Sequence, residues 1–151
     1  MSDPVEDLLF DAAWSGSVDD LSSLLRDRPD VNVNWTNPDK YQWTPLHAAS
    51  LRGRVEVAKL LLAHPNIHVN LKSKFGETPF LLGCQISCVV ALLLKDPRVD
   101  VTLEDNKGCT PLWYASSSGK LDVIEWLIAS GRDLGDIENK KGRWRGKDYT
   151  P

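Results

Sequence analysis

Three Thr-Pro dipeptides, each followed by a similar arrangement of residues, constrain this chain more than any other feature. They open the segments "TPLHAASLRGRVEVAKLLL", "TPFLLGCQISCVVALLL" and "TPLWYASSSGKLDVIEWLI" at Thr44, Thr78 and Thr110, which stand 34 and then 32 residues apart. A period of that length is typical of a repeat array, in which each copy buries its apolar face only by stacking on its neighbours. The chain is therefore predicted to be a stack of small units and not one globular core.

Two further copies flank these three. The segment "DLLFDAAWSGSVDDLSSLL" lacks the Thr-Pro but aligns when Gly16 is placed on Gly53 and Gly119. A last copy is begun by "DIENKKG" and reaches Thr150-Pro151 after a longer insert. We therefore expect a single domain, 1–151, with repeats at about 1–36, 37–70, 71–102 and 103–135 and with 136–151 as the finger of an incomplete fifth repeat.

Each copy contains the signals of two short helices. The threonine hydroxyl can cap a helix N-terminus, and proline suits the first helical position because its missing N–H would have no partner there. Gly53 and Gly119 can end the first helix in a left-handed conformation. The runs "VEVAKLLL" and "LDVIEWLI" then place apolar residues three and four apart, which predicts a second helix with one buried stripe.

Between the copies, "NIHVNLKSKFGETP" and "RVDVTLEDNKGCTP" predict an extended arm that ends in a tight turn at Gly76 or Gly108. With these arms, the pattern "TPLHAA", the following glycine and the "LLL" helix closely resemble the ankyrin repeat. The resemblance implies an all-α, right-handed, curved solenoid of about four helix-turn-helix repeats with β-hairpin fingers. It also implies a protein-interaction scaffold that holds its partner on the concave face.

Three departures from that pattern carry expectations of their own. The first finger, "NVNWTNPDKYQWTP", is longer and has Gln42 where glycine is expected, so it should be bulkier. The third copy is two residues shorter and reads "CQISC", which predicts a tighter turn between its helices. The histidine of "TPLH" occurs as His47, whereas Leu81 and Trp113 replace it in the later copies.

Composition agrees with an intracellular protein. The chain is 42% hydrophobic and 26% charged, with a net charge of −3, and no stretch approaches the roughly 18 apolar residues of a membrane span. Its N-terminus is acidic where a signal peptide is basic, and its three cysteines do not suggest a disulfide framework. We expect a cytoplasmic location, with a nuclear one not excluded, and no membrane contact.

The resemblance places the partner site on the finger tips and on the groove-facing ends of the first helices. Aromatic residues and arginine, which supply most interface hot spots, concentrate in the first half of this groove. The predicted partner-binding residues are Trp14, Tyr41, Trp43, Leu51, Arg52, Lys74, Phe75, Glu77, Asn106, Lys107, Tyr114 and Ser117.

Several aromatic residues have a second interpretation. Trp35, Tyr41 and Trp43 either contact a partner or pack on one another to hold the enlarged finger. Trp113 and Trp126 are predicted to be core residues, because one replaces the family histidine and the other lies in a second-helix stripe.

The two ends of the chain differ in charge. Charged residues among the first 20 are all acidic, which favours a solvated cap, with a docking site for a basic partner as the alternative. At the other end, "NKKGRWRGK" offers an alternative function, nucleic-acid or phosphate binding through Arg143, Trp144 and Arg145, although nucleic acid is not the expected partner.

Neither a metal site, a cofactor nor an enzyme is predicted. His64 and His68 flank a proline in a loop, with no carboxylate or cysteine at a useful spacing. Cys84 and Cys88 are expected to be buried thiols of the second-helix region, and Cys109 to be accessible but without a base.

Two expectations concern modification and assembly. The context of Asn70 matches the ankyrin arms that an asparaginyl hydroxylase modifies, against the alternative of local backbone hydrogen bonds. Because the sequence stops where another helix pair would start, we expect either a fragment of a longer array or an apolar end at Leu127 and Ile128 partly covered by the last finger. A monomer is expected, with weak self-association through that end.

Overall fold

A computed structural model describes residues 4–134, and within that range it contains eight α-helices in four consecutive pairs. In chain order the helices are α1 (Pro4–Ser15), α2 (Val18–Asp27), α3 (Pro45–Leu51), α4 (Val55–Leu62), α5 (Pro79–Gly83), α6 (Val90–Lys95), α7 (Pro111–Ser117) and α8 (Leu121–Ala129). The first helices of the pairs pack on one another in the order α1, α3, α5, α7, while α2 packs on α4 and α6 on α8. This stack of helix pairs confirms the predicted all-α solenoid.

The threonines cap the first helices as predicted. Thr44, Thr78 and Thr110 have extended backbones, and each hydroxyl accepts the N–H of the third helical residue, with proline at the start of the helix. Such a cap stabilises a helix by about 1 kcal/mol. The helices that it stabilises here are only one or two turns long, so they depend on caps and packing and not on helix propensity.

A left-handed residue follows each first helix. Gly16, Gly53 and Gly119 have φ angles of 85°, 66° and 66°, which confirms that glycine ends these helices. In the third copy the same place is taken by Ser87, whose φ is 74°.

The prediction of a tighter turn in the third copy is wrong. Residues 84–89 connect α5 to α6, whereas residues 52–54 suffice between α3 and α4. The shorter length of the third copy is accommodated by its helices, because α5 and α6 are both shorter than their counterparts in the other copies. An open groove of about 480 Å³ lies beside the shortened α6, lined by residues of α4 and α6 such as Leu62 and Leu92.

One continuous core runs through the stack. Alternate arm residues are buried, including Val31 and Val33 in the first arm, and the second helices bury one stripe each, such as Leu61 in α4. Complete burial of a leucine contributes about 2 kcal/mol. No single pair of helices could collect enough of this burial alone, so each repeat depends on its neighbours.

Four core or exposure predictions need correction. Trp126 is 38% exposed and is not a core residue, because it lies on the side of α8 that no later helix covers within residues 4–134. Cys88 is exposed in the connection between α5 and α6, and Cys109 is buried at the base of its finger. Leu127 is buried, whereas Ile128 is 66% exposed as expected.

Side-chain hydrogen bonds tie successive arms together. The amide of Asn34 donates to the Asn66 carbonyl at 2.7 Å and its oxygen accepts the His68 N–H at 2.8 Å. Asn70 repeats this pattern with Arg98 and Asp100. Asn70 therefore bonds to backbone groups, as the alternative expected, but to those of the next arm and not to local ones. Its hydroxylation stays a prediction.

The finger tips are tight turns. Gly76 and Gly108 have φ angles of 78° and 77°, and each N–H bonds to the carbonyl three residues earlier, as predicted. Within residues 4–134 the one isolated β-bridge joins Asn37 and Trp43 in the first finger. The β-hairpin form of the fingers is thus not confirmed.

Candidate functional site

Four aromatic side chains from three different elements meet on one surface, which we name the aromatic patch: Trp14, Trp43, Tyr41 and Phe75. The rings of Trp14 and Trp43 stack with centroids 6.2 Å apart, and Tyr41 lies 5.3 Å from both the Trp43 and the Phe75 rings. Aromatic pairs at such distances attract one another beyond their buried area. The patch is therefore a continuous row of rings that runs from α1 across the first two fingers.

Exposure increases along this row. Trp14 and Trp43 are half-buried, whereas Tyr41 is 51% and Phe75 is 47% exposed. Both exposed rings occupy the same place in their fingers, one residue before the left-handed turn position. The finger tips thus present the accessible end of the patch.

The backbone holds the two tips in register. The Lys74 N–H donates to the Tyr41 carbonyl at 2.8 Å, and the next finger repeats the bond from the Asn106 N–H to the Phe75 carbonyl at 2.9 Å. At Gly76 an added Cβ would lie 2.7 Å from the Asn106 nitrogen, so the third finger approaches the second as closely as glycine allows.

The first tip is built without glycine. Tyr41 and Gln42 both have left-handed backbones, with φ angles of 55° and 59°, and Gln42 stands where Gly76 and Gly108 stand in the other fingers. A left-handed conformation costs a residue with a side chain about 1–2 kcal/mol. The longer first finger thus ends in a strained tip, in which the Gln42 N–H bonds five residues back to the Asn37 carbonyl and not three residues back as at Gly76.

Two cations flank the inner end of the patch. The guanidinium carbon of Arg52 lies 4.9 Å from the centroid of the Trp14 ring, and the Lys40 Nζ lies 6.0 Å from it. These distances fall within the range of cation–π attraction. Lys74, which precedes Phe75, is exposed beside the outer end. We name Lys40, Arg52 and Lys74 the cation rim.

Glu77 joins the first two fingers from below the patch. Its carboxylate accepts the Trp43 indole N–H at 3.4 Å and the Ser73 hydroxyl at 3.1 Å. Its backbone carbonyl accepts the Nε2–H of His47 at 2.9 Å. Through these bonds Glu77 supports the patch, and its contact with a partner stays a prediction.

The three aromatic residues of the enlarged finger lie in two places, and partner contact by Tyr41 and Trp43 stays a prediction. Tyr41 and Trp43 pack on each other and remain accessible, whereas Trp35 packs edge-on against Phe10 with centroids 6.4 Å apart. Phe10 also stacks on Trp14 at 6.3 Å and is buried. It supports the patch from below, and aligning Gly16 with Gly53 would have found it, since Phe10 then falls on His47.

The second half of the predicted site is arranged differently. Tyr114 is buried, and its hydroxyl donates to the Asp105 carboxylate at 2.8 Å, so we exclude it from the surface. Trp113 is half-buried, packs against the core and lies edge-on to Tyr114. The other predicted residues of the second half are exposed and polar or charged: Asn106, Lys107 and Ser117. In the first half, Leu51 is half-buried at the end of α3.

The buried ionisable groups are tuned for structure. Burial lowers the pKa of His47 to about 4, so at neutral pH its Nδ1 is a free acceptor for the Thr44 N–H at 3.1 Å. Burial raises the pKa of Cys84 and, together with Asp105, that of Tyr114. A neutral buried thiol and a histidine already bonded on both nitrogens do not form a nucleophile and base.

Three further features concern metal ions, membranes and anionic ligands. In the part of the chain that the structure describes, no group of three or more His, Cys, Asp or Glu side chains could hold a metal ion. Over the same residues, no helix combines the length and apolar character needed to cross a bilayer. The alternative anionic-ligand site at Arg143, Trp144 and Arg145 lies outside the described residues and stays a prediction.

Known proteins similar to this chain share its repeat. The chain is 36% identical to SMC5-SMC6 complex localization factor protein 1 of Homo sapiens over 91 residues, which are 58% of this chain and 8% of that protein. It is 35% identical to the Bos taurus protein of the same name over 104 residues, 67% of this chain and 10% of that protein. The chain thus spans a tenth or less of these two relatives.

A shorter relative and two family models point the same way. The ankyrin repeat-containing protein C6C3.08 of Schizosaccharomyces pombe is 31% identical over 107 residues, 68% of this chain and 45% of that protein. A family model described as ankyrin repeats in many copies matches residues 24–81, and one described as ankyrin repeats in three copies matches residues 66–138. With the stacked helix pairs and their Thr-Pro caps, these matches show that the chain belongs to the ankyrin-repeat family.

Proposed function

We propose that the chain is a non-enzymatic scaffold that holds a protein partner on the concave face formed by its fingers and first helices. Ankyrin repeats are in general protein-interaction modules, and the aromatic patch is the observation that supports a contact at this surface. Tyrosine and tryptophan in such a row supply large contact areas with few rotatable bonds, which is why they dominate interface energies.

The strained first tip supports the same proposal. Left-handed backbones at two consecutive residues with side chains cost conformational free energy, and glycine at either position would lower that cost. The two residues nevertheless set the orientation of Tyr41. Backbone strain of this kind clusters at binding sites, where a fixed geometry is useful. Because the tip is also held by the Lys74 to Tyr41 backbone bond, the tip itself loses little conformational entropy when a partner binds.

The finer elements of the proposal follow the repeat pattern. We propose repeats at about 1–36, 37–70, 71–102 and 103–135, hairpin-like fingers and a monomeric intracellular chain. The surface would include Trp14, Tyr41, Trp43, Leu51, Arg52, Lys74 and Phe75, with Asn106, Lys107 and Ser117 as a polar extension.

The test is a capture experiment with matched variants. The intact chain, a Tyr41→Ala, Trp43→Ala double variant and a Trp126→Ala control are immobilised, and proteins retained from lysate are identified by mass spectrometry. The control removes another partly exposed tryptophan, on α8 and outside the patch. We expect proteins held by the intact chain and the control to be lost from the double variant, because truncating hot-spot aromatics costs about 2–4 kcal/mol of binding free energy.

Circular dichroism must show that the double variant keeps its helices. Equal capture by all three folded proteins would place the binding surface elsewhere and would contradict the proposal.

A further inference from the structure

We infer that the patch recognises an acidic peptide segment in which carboxylates accompany an aromatic or aliphatic anchor. This inference rests on the proposed function, because it names the chemistry of the partner that the same surface would bind. The anchor covers the exposed end of the patch and the carboxylates face the cation rim.

The anchor is required by the exposed end of the patch. Tyr41 and Phe75 lie 5.3 Å apart and each leaves about half of its surface in water. Two adjacent aromatic rings of this kind form a shelf on which one apolar side chain can lie, and its burial supplies the hydrophobic part of the affinity.

The carboxylates of the peptide would pair with cations that form no ion pair within residues 4–134. Arg26 and Arg98 each form an ion pair with a carboxylate one or two residues away in the chain. Lys59 forms one with Glu56, which lies about one helical turn away. In residues 4–134 no carboxylate pairs with Lys40 or Arg52, which instead lie over the Trp14 ring. The contact with Trp14 holds the Arg52 guanidinium 4.9 Å from the ring centroid, and its N–H groups can still donate to a carboxylate.

The same cations argue against a positively charged ligand. Aromatic rings attract ammonium groups. The Trp14 ring, however, already has two cations 4.9 and 6.0 Å from its centroid, and these would repel a third. A basic peptide or a methylated lysine side chain would therefore be disfavoured at Trp14, even though the aromatic composition alone would suit one.

Geometry and charge also disfavour a nucleic acid strand. Its bases need separate ring faces for stacking, whereas Tyr41 meets Trp43 and Phe75 at interplanar angles of 62° and 46°. The rim offers few cations for a phosphate chain, Asp39 stands beside Lys40, and the whole protein carries a net charge of −3. The partner is thus a polypeptide with a few well-placed carboxylates.

The first tip fixes the anchor shelf relative to the rim. The Gln42 N–H bonds to the Asn37 carbonyl at 2.9 Å, and the Trp43 N–H bonds to the Lys40 carbonyl at 2.9 Å. These bonds enclose the strained Tyr41 and Gln42, so Lys40 and Tyr41 are presented by one rigid turn. A peptide that contacts both Lys40 and Tyr41 must therefore have a fixed distance between its carboxylate and its apolar side chain.

The test selects ligands without assuming a partner. A random peptide library displayed on phage is enriched on the intact chain and, separately, on an Arg52→Glu, Lys40→Glu variant. We expect the intact chain to enrich peptides with aspartate or glutamate near a leucine, phenylalanine or tryptophan, and the charge-reversed variant to lose that preference.

Affinities of the enriched peptide then locate the contact. Fluorescence anisotropy should show about a tenfold or greater weakening in the charge-reversed variant, because like charges replace attraction across the contact. A Lys95→Glu variant reverses an exposed charge on α6 and should bind as the intact chain does. Added salt should weaken the peptide on the intact chain.

The outcomes separate the two proposals. Neutral or basic enriched peptides that still require Tyr41 and Trp43 would overturn the acidic specificity and leave the proposed function intact. Enriched peptides that bind the Tyr41→Ala, Trp43→Ala variant unchanged would overturn the proposed surface, and a library without binders would contradict both. Displacement of the peptide by oligothymidine at equal concentration would identify the surface as a strand-binding one and overturn the inference.

Discussion

The two halves of this repeat array share one backbone pattern and use their aromatic residues in opposite ways. In the first half, Trp43 and Tyr41 lie on the surface formed by the finger tip. In the second half, Trp113 and Tyr114 lie within the first helix of their repeat and pack inward. Position within the repeat therefore decides whether an aromatic ring is available to a partner, and residue type alone does not.

The halves also differ in how their fingers are fixed. His47 links its helix to the next finger through the Glu77 carbonyl, whereas Leu81 and Trp113 occupy its place in later repeats and offer no acceptor for the capping threonine's N–H. The first tip is strained, whereas Gly76 and Gly108 relieve the others. The proposed binding half is thus the one in which side chains specify geometry most strongly.

Acidification should weaken the first half most. Burial lowers the pKa of His47 to about 4, below its unfolded value of 6.5, so between these values the unfolded chain takes up a proton that the folded chain does not. The free energy of unfolding therefore has its full contribution from neutral His47 above pH 6.5. That contribution decreases by about 3 kcal/mol as the pH falls from 6.5 to 4. Urea titrations across this range measure it.

A His47→Leu variant is the control, since leucine occupies the equivalent place at position 81. It should be less stable at pH 7 but should lose much less stability between pH 6.5 and 4. The lowered pKa values of Asp96 and Asp100, which follow mainly from hydrogen bonds to Arg98 and Thr102, act below their ordinary value of 3.8 and so outside this window. An unchanged pH slope in the variant would contradict the role of His47.

The contact between fingers can be broken at a glycine. Gly76→Ala should lower the free energy of unfolding by about 2–3 kcal/mol, because it combines a left-handed backbone with a clash against the Asn106 nitrogen and strains a hydrogen bond. Gly119→Ala, with a similar φ but nothing within 4 Å of the added Cβ, should cost only about 1 kcal/mol. Thermal and urea unfolding compare the two, and equal losses would show that the fingers do not depend on close approach.

Tyr114→Phe tests the inward-facing aromatic residues. Removing the hydroxyl leaves the Asp105 carboxylate without its 2.8 Å donor, although it keeps the backbone N–H groups of Lys107 and Cys109. We expect a loss of about 1–2 kcal/mol in stability and no change in the affinity of the partner. A weaker complex with unchanged stability would mean that Tyr114 is part of the binding surface.

The smallest effect should be a gain. Gln42→Gly removes the strain of a left-handed residue but adds freedom to the unfolded chain, so we expect a net stabilisation of about 0.5–1 kcal/mol. The melting temperature should rise by a few degrees. If it falls instead, the Gln42 side chain makes a contribution that outweighs the backbone strain.

Local signals carried most of what the sequence predicted correctly. Thr-Pro caps, left-handed glycines and buried arm valines each follow from a residue and its immediate neighbours, and Thr44, Gly53 and Val33 behave accordingly. Exposure of Trp126 could not be predicted this way, because a second-helix stripe is buried only where another helix lies beside it.

The candidate site was predicted as a set of positions but not as an arrangement. Trp14, Trp43 and Phe75 are far apart in the chain, and their contacts depend on ring orientations that no spacing reveals. Phe10 had a signal in the alignment of Gly16 with Gly53, whereas the bonds of Glu77 to Trp43 and Ser73 depend on the folded arrangement.

The tryptophan indole N–H groups give the most direct test of the central claim that the first half of the array binds the partner. In a ¹H–¹⁵N spectrum of the labelled chain, each indole is a separate reporter, and a captured partner or an enriched peptide is titrated in. We predict large shifts of the Trp14 and Trp43 signals, with Trp113 and Trp126 unchanged. Shifts confined to Trp113 or Trp126 would contradict the account.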